Sequence, residues 1–187
     1  MKIKRNQKIE RTSKKQGPNG TPVKAAPKPK MGTQIIPKER YTSSDYMHQE
    51  WDKLWTKVWL LACREEDLPE PGDHYVTEIG VESILLVRQK DMSIRAFYNV
   101  CQHRGNKLVH SFEQPQEAAQ SFKCKYHDWE YGLDGGFVDI PDLETFPQGA
   151  PDCSGLTSLP CDSWGSFVWF SLNPDVEPFK DYRGIIP

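Results

Sequence analysis

The 187 residues carry a formal net charge of −2, with 37% hydrophobic and 27% charged side chains, enough for one ordinary domain with appendages. The charge is unevenly placed: residues 1–40 hold 12 Lys and Arg against Glu10 and Glu39, and the remainder holds 12 against 24 Asp and Glu. An acidic body argues against nucleic-acid binding by that body, and the longest apolar run, Val58–Cys63, is too short to span a bilayer.

Residues 1–39 read as a disordered basic tail, because Gln16–Met31 mixes Gly, Pro, Lys and Ala with Val23 as its only strong core former. No secretory apolar stretch follows the first lysines, and the five cysteines (63, 101, 124, 153 and 161) are odd in number. A cytoplasmic protein without a disulfide framework is expected. Residues 40–69 are predicted as a helical segment. Thr42, Ser43 and Ser44 are good N-caps, and Met47, Trp51, Leu54, Trp55 and Val58 recur at spacings of three and four, an apolar stripe that should pack on a core. Pro69, Pro71 and Gly72 close this region.

From 70 to 175 the pattern becomes one of short strands and turns. Tyr75–Ile79, Ser83–Arg88 and Ile94–Val100 are rich in β-branched and aromatic residues, and Phe122–Cys124, Trp129–Tyr131 and Trp164–Leu172 are further strand candidates. Turns are expected at Ile79-Gly80, Gln89–Asp91 and Leu133–Gly136, and residues 139–155 read as an irregular loop. The predicted fold class is mainly β, a set of small antiparallel sheets preceded by one amphipathic helix.

Two mixed pairs stand out, Cys101-Gln-His103 and Cys124-Lys-Tyr-His127, separated by positions 104–123. Each follows a strand-like segment and precedes turn formers, so two loops are expected to close on one metal centre. Thiolate is soft and charged and suits a sulfide-bridged ferric pair, whereas imidazole is neutral and proton-labile. Two Cys on one iron and two His on the other give a [2Fe–2S] centre with a potential of about −150 to +300 mV. Reduction would then raise the imidazole pKa values and couple electron to proton. A Cys2His2 zinc site is the competing reading, but structural zinc draws on C-x2–4-C and H-x3–5-H pairs rather than on mixed ones. Buried small hydrophobes are the expected roles of Cys63 and Cys161, and His110, with no matched Cys, is expected to face solvent.

These motifs resemble the Rieske centre of ring-hydroxylating oxygenase large (alpha) subunits. Cys101-Gln-His103-Arg104-Gly105, Cys124-Lys-Tyr-His127-Asp128-Trp129, the approach Phe97–Val100, the turn Tyr131–Gly136 and the last strand Trp164–Pro174 all carry the likeness, which covers roughly 40–187. The resemblance implies that Cys101, His103, Cys124 and His127 bind one Rieske [2Fe–2S] cluster. It also implies electrons arriving from a flavin reductase or a ferredoxin, a trimer of alpha subunits, and mononuclear Fe(II) in a second domain that activates dioxygen. The facial triad of that iron needs two His and a carboxylate, and no histidine lies beyond His127. The chain therefore reads as the N-terminal, electron-transferring portion of such a subunit, not catalytically competent alone, with 176–187 as the start of a linker. A stand-alone Rieske electron carrier or a redox sensor is the alternative.

Around the centre, Arg104 is expected either to donate hydrogen bonds and steer a partner or to form a surface salt bridge. Tyr126 is expected to donate to a cluster sulfur, and Trp129 to shield the cluster or simply to fill core. Two positions depart from the family pattern, Lys125 where it usually has Pro and Asp128 where it has Gly or Ala. The connection 104–123 is also a few residues longer, with the extra length expected in 113–120.

Overall fold

A computed structural model describes residues 35–110, 118–148 and 155–184. The architecture is that of the unit Lys38–Pro187. Most of the tail, the connection 111–117 and Cys153 lie outside the described residues.

Among the described residues, ten short strands form three antiparallel sheets. One sheet has the order β1 (Trp59–Arg64), β10 (Phe167–Ser171), β9 (Cys161–Trp164). The largest runs β2 (His74–Ile79), β3 (Glu82–Arg88), β4 (Ile94–Tyr98), β8 (Ser158–Leu159). The third is β5 (Ser121–Lys123), β6 (Glu130–Gly132), β7 (Phe137–Asp139). The mainly β class expected from the sequence is the class observed, and no helix among the described residues is long and apolar enough to cross a membrane.

Strand β3 explains the layering. Its residues Ile84, Leu85, Leu86 and Val87 are all fully buried. Side chains alternate across a strand, so Leu85 and Val87 face one core, with Val76, Phe97, Phe122, Trp129 and Tyr131. Ile84 and Leu86 face a second, with Leu60, Leu68, Val168 and Phe170. A strand buried on both faces reads as a continuous apolar run rather than an alternating one. Each such side chain contributes about 1.5–3 kcal/mol of burial.

The helical segment is shorter than its apolar stripe suggests. It comprises α1 (Glu39–Thr42), α2 (Ser44–Glu50) and a π-turn at Trp51–Trp55. Ser43 caps α2, its Oγ accepting from the Tyr46 N–H at 3.4 Å. The π-turn shifts the helical period, so the stripe does not bury as one face. Trp51 packs on the second core, with its ring over Gly80 of the β2–β3 turn, and Val58 packs there too. Met47, Leu54 and Trp55 remain exposed. Trp59 lies outside the helix altogether: the apolar run that follows the turn is strand β1, paired with β10 from Trp59↔Ser171 to Arg64↔Phe167. A six-residue apolar run has no period that separates helix from strand.

The segment read as one strand, Trp164–Leu172, is a hairpin. Gly165 and Ser166 both have positive φ (64° and 66°), the twist a two-residue turn needs between right-twisted strands. Trp164 then pairs with Phe167 across it. A final turn of helix, α3 (Phe179–Tyr182), brings Phe179 edge-on to Trp59, whose indole N–H donates to the Glu177 carbonyl at 2.8 Å.

Candidate metal centre

The two mixed pairs occupy two loops of the same design. Loop 101–106 follows β4, and loop 124–129 joins β5 to β6. In the first, the Cys101 N–H donates to the Asn106 carbonyl at 2.8 Å and the Gly105 N–H to the Cys101 carbonyl at 2.9 Å. In the second, the Cys124 N–H donates to the Trp129 carbonyl at 2.8 Å and the Asp128 N–H to the Cys124 carbonyl at 3.0 Å. The fifth residue of each loop turns the chain through the left-handed region, Gly105 at φ 71° and Asp128 at φ 60°. That region costs most L-residues roughly 1–2 kcal/mol and is visited mainly by Gly, Asn and Asp. Asp128 is therefore one of the few side chains that can stand where the family usually has Gly or Ala.

These loops bring the four side chains together as an inner and an outer pair. Cys101 and Cys124 are each 2% exposed, at the floor of the first core. The rings of His103 and His127 lie 4.6 Å apart, nearer solvent. His103 is stacked on Trp129, 4.8 Å between centroids and 8° between planes, so Trp129 both fills core and clamps an imidazole. The histidine pair, Asp128, Trp129, Pro141 and Phe146 line an open cleft of about 420 Å³.

Anchoring comes from residues that the sequence reading missed. Asn99, 1% exposed, donates to Ser83 Oγ (3.0 Å) and the Val109 carbonyl (2.6 Å) and accepts from the Leu108 and Val109 N–H groups. It thereby pins the chain on both sides of the first loop to β3. Tyr131 Oη lies 3.2 Å from Cys101 Sγ and accepts from the Gln102 N–H at 2.9 Å. The phenol at the sulfur is thus Tyr131 and not Tyr126. Tyr126 is 61% exposed and lies against the His127 ring at 3.8 Å. Only the pairing of β5 with β6 reveals this, because it turns Tyr131 inward opposite Phe122. Arg104 is exposed and, among the described residues, makes no salt bridge.

The protonation preferences of Cys124 and His103 suit a metal site, whereas that of Cys101 runs against the thiolate a metal needs. Burial raises the Cys101 thiol, with the Tyr131 contact opposing it. Burial also works against ionisation of Cys124, but the Tyr126 and His127 backbone N–H groups, Cys101 and the Asn106 amide more than offset it, so its thiol sits below the ordinary range. His103 is held below the usual imidazole value by burial, then by the charges of His127 and Arg104, which favours a neutral ring. By contrast, burial pushes Cys63 and Cys161 up to about 12, as fits small core residues. Two buried cysteines beside two outer imidazoles fit a two-iron centre, in which each iron would take two protein donors.

Comparison with known proteins points the same way. The family model of the Rieske [2Fe-2S] domain matches residues 58–160. The large oxygenase component of the naphthalene 1,2-dioxygenase system of Pseudomonas aeruginosa is 33% identical over 145 residues, 75% of this chain and 31% of that protein. The oxygenase subunit of carnitine monooxygenase of Escherichia coli is 30% identical, over 78% of this chain and 38% of its own. Among solved structures, the apo form of the quaternary ammonium Rieske monooxygenase CntA superposes with a TM-score of 0.73 at 27% identity, covering 80% of this chain and 43% of that one. A point mutant of naphthalene 1,2-dioxygenase bound to phenanthrene gives 0.69 at 28%, over 77% and 32%. The chain spans about a third of the length of the curated relatives it matches.

Proposed function

The chain belongs to the Rieske [2Fe-2S] domain family, and we propose that it is the electron-entry domain of an oxygenase alpha subunit, with Cys101, His103, Cys124 and His127 as the cluster ligands. One observation carries this reading: two loops with the same hydrogen bonds set two cysteines, each 2% exposed, beside two histidine rings 4.6 Å apart. When bound, a Rieske cluster takes up and releases one electron at a potential well above that of an all-cysteine cluster.

The residues of this chain do the rest. Backbone N–H groups and Tyr131 stabilise negative charge on the sulfurs, while the first core keeps water from them. The histidine edge lines the open cleft, the side of the centre that a redox partner would meet. In the proposed reading electrons come from a flavin reductase or a ferredoxin and pass to mononuclear iron in a catalytic domain, with neighbouring alpha subunits in a trimer and a cytoplasmic setting. The domain boundaries proposed are a basic tail to 39, a helical lead-in, a Rieske domain to 175 and a linker from 176. The boundary at 70 falls between two parts of one fold, since strand β1 is paired into the sheets.

The test is stoichiometry with spectroscopy. Purified anaerobically, the chain is expected to hold equal iron and acid-labile sulfide, two of each per chain, and to give a paramagnetic signal only after reduction. One zinc per chain and no sulfide would overturn the assignment.

Tyr131 offers a graded check. Its phenol already accepts from Gln102, so its own proton is free for the Cys101 sulfur. A donor to sulfur favours the more negative, reduced state. Tyr131→Phe is expected to lower the midpoint potential by roughly 40 mV, the one-electron equivalent of about 1 kcal/mol of differential hydrogen bonding. An unchanged midpoint in a fully loaded variant would contradict this role.

A further inference from the structure

The sixth residue of each loop does two things. Its carbonyl accepts from the cysteine N–H of its own loop, Asn106 from Cys101 and Trp129 from Cys124. Its side chain crosses to the other loop. Trp129 stacks on His103, and the Asn106 amide Nδ2 points at Cys124 Sγ, 3.8 Å away, while also donating to the Lys107 carbonyl at 2.8 Å. Both neighbours of that amide are acceptors, so it must present its NH2 group to them. Of the other groups that favour the Cys124 thiolate, the Tyr126 and His127 N–H groups belong to Cys124's own loop, and Cys101 is itself a proposed ligand. Among the described residues Asn106 is the non-ligand side chain that reaches this sulfur from the opposite loop.

We propose that Asn106 is a positioning residue for the redox centre, holding the second cysteine loop in register with the first and, as a donor to Cys124 Sγ, raising the reduction potential. The proposal rests on the cluster reading above. Its physical basis is that hydrogen bonds to cysteine sulfurs are among the determinants of iron–sulfur potentials, and that outer partners of metal ligands orient them. The amide donor is neutral, so it favours the reduced state without adding a titrating charge. The arrangement is reciprocal: each loop is fixed from the other by one side chain, and either substitution should disturb both ligand pairs.

The experiment compares the loaded wild-type chain with Asn106→Leu, which keeps the branched shape without a donor, and with Asn106→Asp, which places a carboxylate at the same point. Asn173→Leu is the control, because its amide accepts from the Asp175 N–H and lies in neither loop of the centre. Midpoint potentials are read by titration, with iron, sulfide and Fe–S stretching frequencies alongside. Asn106→Leu is expected to lower the reduced-to-oxidised ratio at fixed solution potential by about threefold, or about 30 mV. Asn106→Asp should lower it further, and both should shift the Fe–S stretches, while Asn173→Leu leaves them in place. If Asn106→Leu loses its cluster while folded, Asn106→Asp carries the measurement. Fully loaded Asn106 variants with wild-type potentials and stretches overturn the proposal, as does an equal shift in Asn173→Leu. A wild-type chain without iron and sulfide removes the cluster reading itself, and with it any role of Asn106 toward a metal-bound sulfur.

Discussion

Replacing Cys124 by serine is expected to leave a chain that keeps its sheets but holds no cluster, with the iron, the acid-labile sulfide and the visible absorption all gone. Cys101→Ser should do the same. The reason lies in the donor chemistry. A thiolate is a soft ligand whose charge is supported at Cys124 by N–H donors and at Cys101 by Tyr131, whereas a serine hydroxyl is hard and hardly ionises. The protein should survive the change, because the second core between the β1 and β3 sheets contains neither cysteine. The hydroxyl would meet the same donors as the sulfur, so the expected cost is about 1–3 kcal/mol. Cys63→Ser and Cys161→Ser serve as controls: both belong to or pack against the second core, and burial keeps both thiols protonated. Full iron and unchanged absorption in Cys124→Ser, or loss of the cluster in Cys63→Ser, would sink the ligand assignment.

The legible part of this molecule was the part governed by local chemistry. Ligand types and spacing pointed to the two loops, and β-branched runs placed β2, β3 and β4 to within a residue or two at each end. What the sequence hid follows from pairing and from φ. The strand β1 hid in an apolar run with no period of its own, and the Gly165-Ser166 turn hid inside a run of aromatic residues. The apolar stripe of the lead-in helix was misleading, because the π-turn at Trp51–Trp55 leaves Leu54 and Trp55 facing out. At the centre, Tyr126 was the nearer phenol in sequence and Tyr131 the nearer in space. Strand alternation from Phe122 and Tyr131 decides between them, and it requires the β5–β6 register. Asn99 gave no signal either, since a lone Asn after a strand is ordinary until its four bonds are seen.

Trp129→Ala is expected to be the most destabilising single substitution near the centre, costing about 3–5 kcal/mol. Trp129 is 4% exposed, meets Phe137 and Phe146 edge-on at 5.6 and 6.1 Å and stacks on His103. For a chain of this size that cost corresponds to a fall of roughly 6–20 °C in melting temperature. The loss divides into two consequences that separate measurements resolve. The cavity weakens the core between the sheets, which the melting temperature reports. The freed His103 ring samples more orientations, which should broaden the signal of the reduced cluster. Trp129→Phe, which keeps a ring against His103, should recover most of the second effect and only part of the first. Trp55→Ala is the matched control, a tryptophan 38% exposed and outside both cores. It is expected to cost less than about 1 kcal/mol and to leave the spectrum sharp. If Trp55→Ala were as damaging, or if Trp129→Ala lost stability with no change in the cluster signal, the stack on His103 would be packing alone, and the first loop would owe nothing to the ring that crosses to it from the second.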